Sequence, residues 1–272
     1  EMNGKDLIES FQLSSRINKV IGSIPPCNYT YELFLDENGE KISKSIGNGI
    51  SVDDWLKYSP RESLELFMFQ NPNRAKKLYF DIIPKMTDEF LKHKLNFSNL
   101  DNESKISSPL WFIDFDQEEK NLENFSFSMV LNLVNVCNAE NSEILWGFIE
   151  NYYPDIKKGH YPSVEKLLDF GVHYYKEFVE PTKSFREPSE KEKLGFEKLI
   201  KFLKQCDKNS QPEEIQTKIY DIGMDLGFDN LKEWFMAFYE VVLGQTQGPR
   251  LGSFIKFYGI SETIKLLESK VS

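Results

Sequence analysis

The chain has 272 residues, a mass of 31.8 kDa and a formal net charge of −10, from 33 Lys and Arg against 43 Asp and Glu. That acidity excludes a protein whose whole surface grips nucleic acid or an anionic membrane, and a composition 40% hydrophobic and 14% aromatic excludes wholesale disorder. No apolar run approaches the roughly 20 residues of a membrane span, and three Cys with three His, all scattered, supply neither a disulfide framework nor a four-ligand zinc site.

Without a basic start leading into an apolar signal core, a cytoplasmic protein is the default. Cys27, Cys137 and Cys206 are expected as reduced thiols packed as small hydrophobes. Residue 1 is Glu rather than Met, which points to a cut N-terminus. Asp6 to Gly22 carries Leu7, Ile8, Phe11, Ile17, Val20 and Ile21 at the spacing of one buried helical face, with Gly22 as the stop. Pro25-Pro26 breaks the chain, and Tyr29 to Leu35 is rich in strand formers. The turn residues Asp36-Glu37-Asn38-Gly39 follow, so a hairpin is expected to lead into an exposed loop over Lys41 to Asn48. From there the patterns are helical. Short helices are predicted over Asp53–Tyr58, capped by Ser51, and from Pro60 onward with Leu64, Phe67 and Met68 on one face. Further helices are predicted over Phe80–Leu95, Phe127–Val136, Glu143–Tyr152, Val164–Val179, Glu190–Gln205, Pro212–Gly227, Leu231–Leu243, Leu251–Tyr258 and Ser261–Glu268. Asn96 to Asn124 is acidic and without period, a long loop or irregular insert, in which Asp114 and Asp116 read as the wet face of a short strand.

The sharpest feature is the stretch Lys41-Ile42-Ser43-Lys44-Ser45-Ile46-Gly47-Asn48. Two lysines three apart, interleaved with two hydroxyls and followed by Gly, suit a polyphosphate: ammonium groups neutralise charge and hydroxyls donate to phosphate oxygens. Phosphoryl and nucleotidyl transfer are catalysed mainly by positioned charge, which mobile lysines supply. A solvated Lys/Ser loop is the bland alternative.

This stretch resembles the K-M-S-K-S signature loop of class I aminoacyl-tRNA synthetases, with Ile42 in place of Met as an apolar anchor of similar volume. Its flanks, YELFLDENGEKISKSIGNGISVDDWLKYSPRESL and RAKKLYFDIIP, together with Gly4-Lys5-Asp6 and the C-terminal GQTQGPRLGSFIKFYGI, are similar to the class I lysyl-tRNA synthetases of bacteria. The resemblance implies a mainly α chain: the remnant of a Rossmann-like α/β catalytic domain in 1–50, a connecting helical module in 51–95, and an α-helical bundle or cage that binds the anticodon in 96–272. It also implies lysine joined to tRNA(Lys) through lysyl-adenylate, with ATP and Mg²⁺ as the nucleotide pair. Lys44 is then the catalytic loop lysine, and Lys41, Ser43 and Ser45 shape the loop over ATP. The family's other signature, H-I-G-H, is absent: His93, His160 and His173 stand in no H-x-G-H setting. The chain is therefore expected to be the C-terminal portion of a longer synthetase and inactive in aminoacylation by itself.

Two basic sites are candidates for tRNA. Arg74, Lys76 and Lys77 beside Tyr79 and Phe80 suit phosphate contacts, or equally an ordinary solvated helix start. Arg250, after Gly248-Pro249, suits an exposed anticodon base, or a tertiary tie to the bundle. Trp234, Phe235, Phe238 and Tyr239 read as core, and His160 as surface decoration. A synthetase-like tRNA-binding module without catalysis, a class I synthetase of another specificity and a helical scaffold stay open as rival readings; DNA and membrane partners are not expected. Along the chain the charge is +3 over 41–94 and +2 over 250–272, against −9 over 95–155. Local basic sites on an otherwise repelling surface would favour one docking orientation.

Overall fold

The computed structural model describes residues 1–43, 45–113, 125–207, 210–228 and 230–271. The chain is mainly helical and forms two compact units, Glu1–Glu123 and Asn124–Ser272.

In the first unit β1 (Met2–Gly4) pairs in parallel with β2 (Tyr29–Tyr31), Met2 opposite Tyr29, and α1 (Ile8–Val20) makes the crossover that parallel neighbours require. Gly22, at φ +79°, ends that helix as expected. Its apolar stripe is not buried by the described residues, however: Leu7, Ile17, Val20 and Ile21 all lie exposed. The expected hairpin is also replaced. The strand formers split into β2 and β3 (Phe34–Leu35), and β3 pairs in parallel with β4 (Lys76–Lys77), leaving one antiparallel bridge, Leu35 to Lys41, of the hairpin geometry. Glu32 donates its N–H to Pro72 O at 2.9 Å where the strand changes partner. Sequence alternation reports strand propensity, and the partner is chosen by tertiary packing.

Between β3 and β4 lie α2 (Val52–Leu56) and α3 (Arg61–Phe69). Ser51 does cap α2, in a reciprocal box with Asp54. Pro60 caps α3 from outside, and the buried face is Ser63, Leu66 and Phe67, with Met68 turned to solvent. α4 (Ile82–Phe97) buries Ile83, Met86, Phe90 and Phe97 at helical spacing and packs on α3. The span expected to be irregular contains α5 (Asn102–Ser107), because Asp101 accepts from Ser104 N at 2.7 Å as an N-cap. Asp114 and Asp116 lie outside the described residues.

The second unit is a helical assembly: α6 (Phe127–Cys137), α7 (Glu143–Tyr152), α8 (Pro162–Tyr174), α9 (Glu190–Leu203), α10 (Pro212–Asp225), α11 (Leu231–Phe238), α12 (Leu251–Tyr258) and α13 (Ile260–Val271). α8 and α11 each run on into one π-helical segment, Tyr175–Val179 and Tyr239–Leu243. Phe196, Leu199, Ile219, Trp234, Phe238, Leu251, Phe254 and Leu267 form its core. Trp234 is wholly buried and donates Nε1–H to Ile219 O at 3.0 Å, so the aromatic face is core as expected. The thiols are unpaired; Cys137 and Cys206 are partly buried, whereas Cys27 is exposed, against expectation. Burial, helped by Glu262, pushes the Cys137 thiol up to about 12.

Candidate functional site

The lysine-serine loop begins at Lys41, bridged to Leu35 of β3 across the turn of residues 36–40. Ile42 N donates to Phe34 O at 3.3 Å, and a tight turn follows in which Ser43 O accepts from Ile46 N and Gly47 N at 3.2 and 3.0 Å. The turn leaves through Gly47 at φ +72°, a conformation that costs glycine nothing. Ile42 packs its methyl so close to the Gly49 backbone that a Cβ there would fall 2.6 Å from Cγ2. Half-buried Ile42 therefore anchors the loop against Gly49, while Lys41 and Ser45 are exposed.

Lys41 extends into solvent with Nζ 3.4 Å from the Asp6 carboxylate. An exposed pair of this kind holds under about 1 kcal/mol, so a bound polyanion can recruit the ammonium. The Ser43 and Ser45 hydroxyls lie 2.8 Å apart on the same turn. Ser43 and Ser45 are thus brought together, with Lys41 directed toward Asp6 at the loop's entry; Lys44 lies outside the described residues. Two residues that the sequence reading passed over hold the neck of this loop, Asp36 and Asn48. Their signal was present: an Asp opening a four-residue turn accepts backbone N–H groups, and an Asn after the turn glycine can bridge back. The N–H of Glu40 and then the Asn48 amide hold the Asp36 carboxyl below its usual range, with burial opposing them.

The basic cluster lies next to this loop through β4. Lys76 is committed to the fold: its ammonium donates to Phe67 O, to Met68 O at 3.2 Å and to Gln70 O at 2.8 Å, the orphan carbonyls at the end of α3. It also sits 4.8 Å from the Phe67 ring centroid, and burial pushes its pKa down. Lys77 donates to Glu37 O at 2.8 Å and braces the turn that precedes the loop. Arg74 is exposed. A cleft of about 520 Å³ elsewhere in this unit is lined by His93, Glu103, Ser104 and Ser107 and involves none of the loop residues.

Arg250, in the second unit, is the N-cap residue of α12. Its guanidinium reaches Glu213 only at 3.8 Å, with both side chains more than half exposed. What positions it is glycine. Gly252 N donates to Gln216 Oε1 at 2.8 Å, and a Cβ on Gly252 would lie 2.1 Å from Pro212 O, so α12 rests directly on the start of α10. Tyr239 OH donates to Pro249 O at 2.7 Å and fixes the approach. The result is an outward-facing arginine on a closely packed backbone. His160 lies in an exposed loop.

Residues 1–115 match the family model for class I tRNA synthetases (K). The whole chain is 47% identical to a lysine–tRNA ligase of Rickettsia bellii and 45% identical to that of Rickettsia felis. In both cases it spans 52% of the relative, in its C-terminal half. A crystal structure of glutamate-tRNA synthetase from Elizabethkingia anophelis matches 99% of this chain and 56% of its own at 16% identity and a TM-score of 0.30, a likeness that assigns no fold. Residues 1–115, which carry the lysine-serine loop, match the class I tRNA synthetase (K) family, and the chain is similar along its full length to the C-terminal half of lysine–tRNA ligases.

Proposed function

We propose that the protein acts as a lysine–tRNA ligase, in which this chain supplies the ATP-binding loop and the recognition of the tRNA(Lys) anticodon, in the cytoplasm. The observation that carries the reading is the anchored K-I-S-K-S turn within a chain that matches lysine–tRNA ligases from end to end. In the first step the lysine carboxylate attacks the α-phosphorus of ATP and pyrophosphate leaves. In the second a ribose hydroxyl of the tRNA attacks the acyl carbon and AMP leaves. Lys44 is assigned to the charge that develops on the phosphates, with Lys41, Ser43 and Ser45 contributing an ammonium and two hydroxyl donors. Residues 1–50 form the end of the catalytic domain, 51–95 a connecting module, and 96–272 the anticodon-binding domain. Magnesium enters as the counter-ion of the nucleotide; among the described residues no group of three or more His, Cys, Asp or Glu converges to hold a metal.

Arg250 carries the anticodon contact in this reading. Arg74 and Lys77 flank the loop as phosphate contacts; Lys76 serves them indirectly by tying β4 to α3. The test is tRNA binding by the chain, comparing wild type, Arg250→Ala and tRNA with substituted anticodon bases. The expected outcome is a loss of about 1–3 kcal/mol for either change, without further loss when both are combined. Equal affinity for all anticodons removes the recognition role. Because the chain's three histidines form no H-x-G-H motif, no lysine-dependent pyrophosphate exchange is expected from the chain by itself; clear turnover there overturns that part.

A further inference from the structure

Asp36 lies at the end of β3, almost wholly buried, and both of its carboxylate oxygens are used. Oδ1 accepts from Asn38 N at 3.0 Å and Glu40 N at 2.9 Å, which shapes the turn before the loop. Oδ2 accepts from Asn48 Nδ2 at 2.9 Å, across twelve residues of sequence. Asn48 spends its other end on the loop itself. Its Oδ1 accepts from Ser43 N at 2.9 Å, and Nδ2 also lies 3.4 Å from Lys41 O. The two side chains therefore connect the preceding turn, the loop's entry at Lys41 and its middle at Ser43 through one buried carboxylate. Backbone bonds add to this network at the neck, from Ile42 N to Phe34 O and from Asp36 N to Glu40 O, and within the turn, from Ile46 N and Gly47 N to Ser43 O.

We infer that Asp36 and Asn48 are positioning residues that hold the backbone of Lys41 and Ser43 in the conformation presented to the nucleotide. The inference rests on the nucleotide-loop reading above. Charged hydrogen bonds to a carboxylate are stronger than neutral ones, and a loop tied at both ends starts from fewer conformations. Neither side chain touches the nucleotide in this reading. Their effect is on the fraction of molecules whose lysine-serine turn is already assembled, and that fraction multiplies the apparent rate.

The bonding pattern provides a reciprocal test. D36N sets an amide donor against the Asn48 amide, and N48D sets a second carboxylate against Asp36 and keeps no donor for it. In D36N/N48D the polarity is exchanged: the new amide oxygen still accepts from Asn38 N and Glu40 N, its NH₂ donates to the new carboxylate, and the other carboxylate oxygen keeps Ser43 N. Trypsin cleavage after Lys41, measured on the chain without nucleotide, is expected to rise at least tenfold in each single variant and to return to within about threefold of wild type in the double. Cleavage after Lys85, exposed within α4, serves as the control for global unfolding. N48A, which buries no new charge, supplies a milder opening of the same latch. Singles that are cut like wild type, cleavage that rises equally at Lys85, or a double as labile as the singles overturns the latch. In lysine-dependent pyrophosphate exchange by the protein as its gene encodes it, the singles are expected to lose about tenfold in turnover with the KM for lysine within twofold, and the double to recover. Wild-type turnover with no difference among the variants overturns the positioning role. Absence of wild-type turnover instead defeats the ligase reading, while the trypsin comparison still decides the latch.

Discussion

A chain of hydroxyls inside the first unit shows how much single residues carry. Trp55, without exposed surface, donates Nε1–H to Ser63 Oγ at 3.0 Å. Ser63 is joined to Ser59 and Ser59 to Thr87, each at 2.6 Å, and Thr87 donates to Ile83 O at 2.8 Å. All three hydroxyl residues are fully buried. Ser63→Ala fits the space but leaves the indole N–H and the Ser59 hydroxyl without their common partner, and an unmet buried donor costs about 1–3 kcal/mol. Amide hydrogen exchange of α3 and α4 is expected to accelerate by about thirtyfold, corresponding to a loss near 2 kcal/mol. Exchange at the wild-type rate would mean that the network contributes nothing. Lys76 makes the complementary point. From the sequence it belongs to a basic cluster for RNA, yet its ammonium closes the end of α3 on three carbonyls. Basic residues near a break after a helix can serve either purpose, and only the tertiary placement of Pro72–Lys77 beside β3 decides.

At the scale of elements, Gly252 determines where α12 sits. The Cβ of Gly252→Ala would meet a backbone oxygen at 2.1 Å rather than a movable side chain, so α10 and α12 must separate. The expected cost is about 2–4 kcal/mol, at the upper end of overpacking because no rotamer relieves it. A thermal melt of the second unit is expected to fall by several degrees, and the tRNA affinity to fall as far as in Arg250→Ala, because the arginine loses its base. A melt within one degree of wild type refutes the close packing. The sequence marks this site by Gly-Pro before Arg250, but not the distance between helices, which depends on a partner element 36 residues away. The same division runs through the fold. Glu143–Tyr152 and Leu251–Tyr258 have the predicted bounds because apolar periodicity is a local signal. The apolar face of α1 was legible as a helix but not as an exposed one, since burial depends on what lies opposite. The π-helical ends of α8 and α11 break the 3.6-residue period without any marking residue. In the loop, the lysines and serines are a motif, whereas Asp36 and Asn48 carry only general turn signals, and it takes the bonds they make to show that the two meet.

At the scale of the whole molecule, the two units answer different physical questions. The second has 18 Lys and Arg against 22 Asp and Glu, so it attracts RNA only where its charges are segregated, as in the segment from Arg250 onward. Its core cluster lies wholly within residues 136–271, and about 150 residues suffice to bury a stable core. Residues 124–272 expressed alone are therefore expected to fold cooperatively and to discriminate anticodons as the entire chain does. Few phosphates can be neutralised by an acidic unit. With two or three contacts and roughly 0.7 counterions released per phosphate of single-stranded RNA, the logarithm of affinity should fall with that of salt at a slope near −2. A slope beyond about −5 would require a broad basic surface, and a slope near zero would leave Arg250 no phosphate contact. The predicted combination is weak salt dependence with strong anticodon dependence, because in an acidic protein specificity must come from positioned contacts such as the Arg250 guanidinium on its glycine-packed helix, with general attraction contributing little.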